Sequence, residues 1–195
     1  LDVDKETSKN CYTICTMSKW ETWMLIAIMA VAVFFRFHHL DTLPPGLSPA
    51  EVTNSIVAWQ TYQTHAYMSF YPDSTVREGL FTNLQAVSVG LFGDTVFGLR
   101  FPSALIGILT VLGLYLLARE LFNIRIAGTA AFLLAISFWH VYFSHIGLRF
   151  ILAPFFAVWA FYFLWRGLKT SHRTQFIASG LCWGLGMYSY GDFRL

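Results

Sequence analysis

The sequence predicts an all-α, polytopic helical membrane protein with about five transmembrane helices and two interfacial helices in its first external loop. Two compositional observations lead there. Of 195 residues, 56% are hydrophobic and only 12% are charged, against about 25% charged in an ordinary soluble domain. The apolar residues also collect in five stretches, near 23–37, 103–121, 126–143, 150–165 and 176–190, several of them close to the roughly 20 residues that cross a hydrocarbon core. None of these stretches alternates in polarity as a membrane β-barrel strand would. Backbone groups in lipid must be satisfied within the element, so the stretches are read as helices. A net charge of +2 gives no reason to expect a nucleic-acid partner.

Residues 1–19 read as a polar N-terminal tail. The first span carries no charge until Arg36, and Trp20 and Trp23 suit the headgroup level. Pro102 fits the first turn of the second span, where a missing N–H costs nothing. The 122–125 and 144–149 links are too short for anything but antiparallel hairpins. Lys5, Lys9, Lys19, Arg119, Arg125, Arg166, Lys169 and Arg173 then fall on one side, and Arg36, Arg77, Arg100, Arg149 and Arg194 on the other. Every lysine is on the first side, so that side is expected to be cytoplasmic and the N-terminus with it. Gly180 and Gly184 form a Gly-x-x-x-Gly pair, read as a close helix-packing face. Cys11, Cys15 and Cys182 give no disulfide framework. The chain starts on Leu1 and is read as a piece of a longer protein.

The external loop, about 38–101, is too long to be structureless. Ser48-Pro49-Ala50-Glu51 reads as a helix start, with Ser48 as N-cap, Pro49 in the first turn and Glu51 at the capping-box position. Val52, Ile56 and Trp59 follow at helical spacing and predict an amphipathic helix at the membrane surface. Leu80, Leu84, Val87 and Leu91 predict a second from Glu78 to Phe92, stopped by Gly93. Phe70-Tyr71-Pro72-Asp73-Ser74 between them is turn-like. Carboxylates at the bilayer surface can take a proton from an attacking hydroxyl, and an arginine can hold a phosphate by a bidentate fork. Chemistry on a lipid-borne substrate is therefore expected here. His38-His39 with Asp41 lacks a further ligand at metal spacing, so no metal site is assigned. His140 and His145 are read as packed, hydrogen-bonded histidines.

Several segments together resemble the membrane glycosyltransferases of the GT-C type, the glycosyltransferase family 39, protein O-mannosyltransferase-like and RgtA/B/C/D-like group. Leu43-Pro44-Pro45-Gly46-Leu47-Ser48-Pro49-Ala50-Glu51 is similar to their first-loop motif. Tyr71-Pro72 with Arg77-Glu78-Gly79-Leu80-Phe81 is similar to their second loop motif. Leu99-Arg100-Phe101-Pro102-Ser103 resembles the start of their second span. Ser137-Phe138-Trp139-His140 with Phe143-Ser144-His145-Ile146-Gly147-Leu148-Arg149 resembles the hairpin between spans three and four. Tyr188-Ser189-Tyr190 with Phe193-Arg194 resembles the end of the fifth. The resemblance makes 20–195 the N-terminal part of such a transferase domain, in the cell membrane.

What the resemblance implies is an inverting enzyme that moves a sugar from a polyprenyl-phosphate carrier to a lipid, glycan or protein acceptor on the extracytoplasmic face. The residues assign no cofactor, and the family leaves room for a divalent cation, Mg²⁺ or Mn²⁺, between phosphate and carboxylate. The family's first-loop motif ends in Asp-Glu, with the Asp as expected base; here that position is Ala50. Glu51 and Glu78 are thus the expected catalytic carboxylates, and Arg77, Arg149, Arg194, Trp59 and Tyr71 the expected substrate-binding residues. Ala50 also motivates an alternative, a catalytically impaired or non-catalytic membrane relative. A transporter is the remaining rival, and it would place polar groups mid-bilayer on broken helices.

Overall fold

A computed structural model describes residues 18–71 and 77–189, with Arg77 described by its backbone alone. The N-terminal tail with Cys11 and Cys15, and the expected turn around Asp73, lie outside the described residues. Eight α-helices occur among the described residues: α1 (Lys19–Phe37), α2 (Pro49–Thr64), α3 (Gly79–Phe92), α4 (Val96–Leu121), α5 (Ile124–Ile136), α6 (Phe138–His145), α7 (Leu152–Thr170) and α8 (Arg173–Ser189). A 3₁₀ turn, Arg149–Ile151, precedes α7. Between α2 and α3, β1 (Phe70–Tyr71) pairs antiparallel with β2 (Arg77–Glu78), Phe70 opposite Glu78.

Three helices, α1, α4 and the 3₁₀–α7 unit, are long and apolar enough to cross a membrane, and α5 with α6 makes a fourth if counted as one bent span. The stretch expected as the fifth span is α8, whose 17 residues fall short of that length. Helix α4 is the central element: 67% of its most apolar stretch is buried, against 22% for α1. The other helices turn large side chains such as Trp20, Trp23, Phe34 and Phe161 outward, as a lipid solvent allows. Two clusters form the core. Ala127, Ala131 and Ala135 of α5, spaced by four, meet Ile28 and Ala32 of α1 and Val111 and Tyr115 of α4. Phe81 of α3, Ile106 of α4, Ile151, and Leu152 and Phe156 of α7 form the other.

The helix ends group as the charge pattern predicts. Glu21 of α1 pairs with Arg119 of α4 (2.5 Å), and Lys169 of α7 with Glu120 (3.1 Å). These contacts gather the lysine-bearing ends. The opposite ends carry α2, α3 and the link after α6.

Three local readings change. Helix α4 begins at Val96, not near Pro102, because the Thr95 hydroxyl caps the Gly98 N–H (3.0 Å). Pro102 then lies inside the helix and cannot donate to the Gly98 carbonyl four residues back. The Ser88 hydroxyl of α3 donates to that carbonyl instead (2.6 Å). The expected span 126–143 is broken at Ser137, where α5 and α6 meet at 53°. Buried Arg36 donates to the Ala135 and Leu134 carbonyls at that break (3.2 and 3.4 Å) and contacts His140 Nδ1 (2.8 Å). A cation at a helix C-terminus is favourable. The expected Gly180–Gly184 packing face meets nothing within 4 Å among the described residues; α8 instead joins α7 through the Ser179 hydroxyl, which donates to the Ala160 carbonyl (2.9 Å).

Both interfacial helices form with the expected caps. Ser48 and Glu51 complete a capping box, and α3 ends at Gly93 with φ 79°. Their apolar stripes face outward: Val52, Ile56, Leu84, Val87 and Leu91 are exposed. Their polar faces, with Glu51, Asn54, Thr61, Thr82, Gln85 and Ser88, are buried in the protein. Gly79 makes this close approach possible, since a Cβ there would collide with the Met68 carbonyl oxygen.

Candidate functional site

Two arginine–carboxylate pairs organise the end that carries α2 and α3, and they make different contacts. The first is Glu51 with Arg100. Both side chains are almost fully buried, and Arg100 Nε donates to Glu51 Oε1 at 3.0 Å. The rest of the guanidinium donates to the carbonyls of Leu40, Leu43, Pro44 and Gly46. Glu51 also accepts the Ser48 N–H (2.9 Å) and the Gly147 N–H (3.1 Å). This knot ties the first loop, α2, α4 and the link after α6 to one another. Gly147 is its outer anchor, and its carbonyl also accepts from Asn54 (3.2 Å) and Gln85 (3.1 Å).

Burial alone pushes the Glu51 carboxyl up. The Ser48 and Gly147 N–H groups and the Arg100 guanidinium outweigh it and hold the group below the usual carboxylate range. A carboxylate so stabilised in its charged form is a poor proton acceptor. The linkage has a definite sign. With a depressed folded value, the stabilisation is complete above the ordinary value of 4.5 and fades as pH falls toward the folded one. Thermal unfolding of detergent-solubilised protein is expected to lose stability below about pH 4.5, and Glu51→Gln, already weakened at neutral pH, is expected to show a smaller acid-dependent loss.

The second pair is Glu78 with Arg149. Glu78 holds the N-cap position of α3, yet its side chain makes no cap bond. It reaches Arg149 Nη1 at 2.5 Å. Arg149 is placed by Gly147, two residues before it, at the start of the 3₁₀ turn. The pair lines a cavity of about 190 Å³ whose other walls include Ala50, Asn54, Thr82 and Phe150. Adjacent positions on a helix point about 100° apart. Ala50 therefore faces this cavity while Glu51 turns into the knot.

The expected site residues thus separate. Glu78 and Arg149 come together. Glu51 does not line the cavity, and its oxygens accept from Arg100 and the two N–H groups. Trp59 sits on the opposite face of α2, against Tyr62, and does not line the cavity. Tyr71 is buried in a hydroxyl chain with Thr61 (2.8 Å) and Asn83 (2.7 Å) and lines a second cavity. The Arg77 side chain and Arg194 lie outside the described residues. Arg100, Asn54 and Gln85 were not singled out from sequence. Arg100 in particular reads there only as one more basic residue at a span boundary.

His140 and His145 are buried and bonded, as expected: His145 meets the Val141 and His38 carbonyls at 3.0 and 3.3 Å. Among the described residues no three His, Cys, Asp or Glu side chains gather as a ligand set for a metal ion. The cavity offers one described carboxylate, and Arg149 engages it. No step below uses a metal ion.

The helical membrane fold is of the GT-C type. The model of the dolichyl-phosphate-mannose-protein mannosyltransferase family matches residues 80–193, and the chain belongs to that family. Among solved structures it is similar to the oligosaccharyltransferase of Archaeoglobus fulgidus, crystallised with a tethered acceptor peptide. The match has 21% identity and a TM-score of 0.68, and covers 89% of this chain. The chain spans 24% of the length of that protein, and the likeness shows the fold. No curated protein sequence matches the chain.

Proposed function

We propose that this chain forms the donor end of a membrane glycosyltransferase acting on the extracytoplasmic face. The enzyme moves a sugar from a polyprenyl-phosphate carrier to a hydroxyl-bearing acceptor. The observation that carries the reading is the cavity shared by Ala50, Glu78 and Arg149. The acceptor oxygen attacks the anomeric carbon from the face opposite the phosphate. The carbon–oxygen bond to phosphate breaks, and its electron pair leaves on the polyprenyl phosphate. The hydroxyl proton passes to the Glu78 carboxylate. Arg149 offsets the charge that gathers on the departing phosphate. It exchanges its bond to Glu78 for one to phosphate, which also frees the carboxylate to accept the proton. A single displacement inverts the sugar.

The test uses the whole protein reconstituted in liposomes with a polyprenyl-phosphate hexose. Sugar transfer is expected, and Arg149→Gln should raise the donor KM by about 10-fold or more, the loss of one charge-assisted hydrogen bond. Transfer that is indifferent to Arg149→Gln would remove the cavity from the mechanism. One observation favours a second reading, a catalytically impaired relative: Ala50, where the family motif carries Asp, faces the cavity. A gain of about 100-fold in transfer on Ala50→Asp would support it.

A further inference from the structure

Ala50 and Asn54 line the small cavity, while Val57, Thr61 and Thr64 of the same helix line a second one. At about 100° per residue these five positions fall within an arc of roughly 80°. They form one stripe, about 21 Å from Ala50 to Thr64, on the face opposite the exposed Val52 and Ile56. The second cavity encloses about 510 Å³, within the range of small-molecule sites. Its walls include Gln60, Met68 and Tyr71 as well, and no charged side chain lines it among the described residues.

We infer that this second cavity is a subsite for a neutral sugar of the acceptor, aligned by α2 with the transfer site; the inference rests on the proposed function above. The polar groups are prearranged. Tyr71 donates its hydroxyl proton to Asn83 (2.7 Å), so Thr61 is the donor in its own bond to Tyr71 (2.8 Å). Asn83 is fixed in turn by donating to the Met68 carbonyl (3.1 Å). Thr64 donates to the Gln60 carbonyl (2.8 Å). Both threonine oxygens have therefore spent their protons and keep lone pairs for an incoming donor. The Gln60 side-chain amide has no hydrogen bond among the described residues. Among the described residues this row of acceptor oxygens has no cation beside it, which suits a ligand that donates hydroxyl protons better than an anionic phosphate. Val57 and Met68 supply apolar walls for the face of a pyranose ring.

The probes are three neutral trisaccharides, built of glucose, mannose or galactose, and an uncharged peptide of similar size. Saturation-transfer NMR is run on the whole protein in nanodiscs. At least one trisaccharide is expected to bind. Thr64→Trp, which fills the cavity from an exposed position, and Gln60→Leu should each weaken it about tenfold with the donor KM unchanged. If transfer fails but the trisaccharide still binds and Thr64→Trp removes it, the proposed function falls and the subsite stands. The subsite is overturned if no trisaccharide binds, if binding ignores both substitutions, or if the peptide alone binds.

Discussion

Arg100→Leu is expected to be the most destabilising single substitution at the end that carries α2 and α3, costing roughly 3–5 kcal/mol, because it leaves a buried carboxylate without its counter-charge. Glu51 would keep only the Ser48 and Gly147 N–H groups. The Leu40, Leu43, Pro44 and Gly46 carbonyls would also lose their donor. Arg100→Lys should recover little. An ammonium is a point charge with three donors and cannot span a carboxylate and four carbonyls as the planar fork does. The measurement is unfolding of the purified protein in detergent, with limited proteolysis of the 40–46 loop as the local readout. A loss under about 1 kcal/mol would mean that the knot does not hold the fold, since that is the scale of an exposed ion pair. The double substitution Arg100→Leu with Glu51→Leu should be less harmful than Arg100→Leu alone, because no charge is then left buried.

Glu78→Gln is expected to produce the largest loss of activity, about 10²–10⁴-fold, the usual contribution of a positioned general base. Glutamine keeps the size of the side chain but cannot take the hydroxyl proton. The cavity itself supplies a rescue. Ala50 stands on its wall with Glu78 and Arg149, so Ala50→Asp in the Glu78→Gln background returns a carboxylate to the same space and should restore part of the rate. Glu51, one residue on, cannot provide that rescue because it faces Arg100. Turnover with a polyprenyl-phosphate hexose, followed in the wild type and both variants, checks both statements. Full activity in Glu78→Gln would move the base elsewhere. Activity lost in Glu78→Gln and not regained with Ala50→Asp would leave Glu78 with a role that a carboxylate at position 50 cannot fill.

How legible these features were in the sequence depends on how local their causes are. The capping box at Ser48 and Glu51 involves residues three apart and was readable directly. The stop at Gly93 and the amphipathic period of α2 and α3 are equally local. The start of α4 was misplaced because Pro102 is a strong local signal for a first turn. What tolerates it inside the helix is the Ser88 hydroxyl, from another helix. The bend at Ser137 was missed for the same reason: Arg36 lies 98 residues from the Leu134 carbonyl it binds.

The role of Glu51 shows the boundary most plainly. By sequence it was both a helix cap and the natural heir to a catalytic carboxylate. The cap was decided locally. What the carboxylate touches depends on Arg100, 49 positions away, and on Gly147, 96 positions away.

The amino-acid order alone thus determined that this chain is a helical membrane protein, where its locally capped interfacial helices start and stop, and which family it resembles. Hydrophobic length, capping and turn chemistry act over a few residues and are written consecutively. Only the tertiary structure decided which carboxylate shares a cavity with an arginine and which is locked in a buried knot. That choice turns on about 100° of helix rotation and on partners brought together from distant segments, and neither is encoded in any short stretch of sequence.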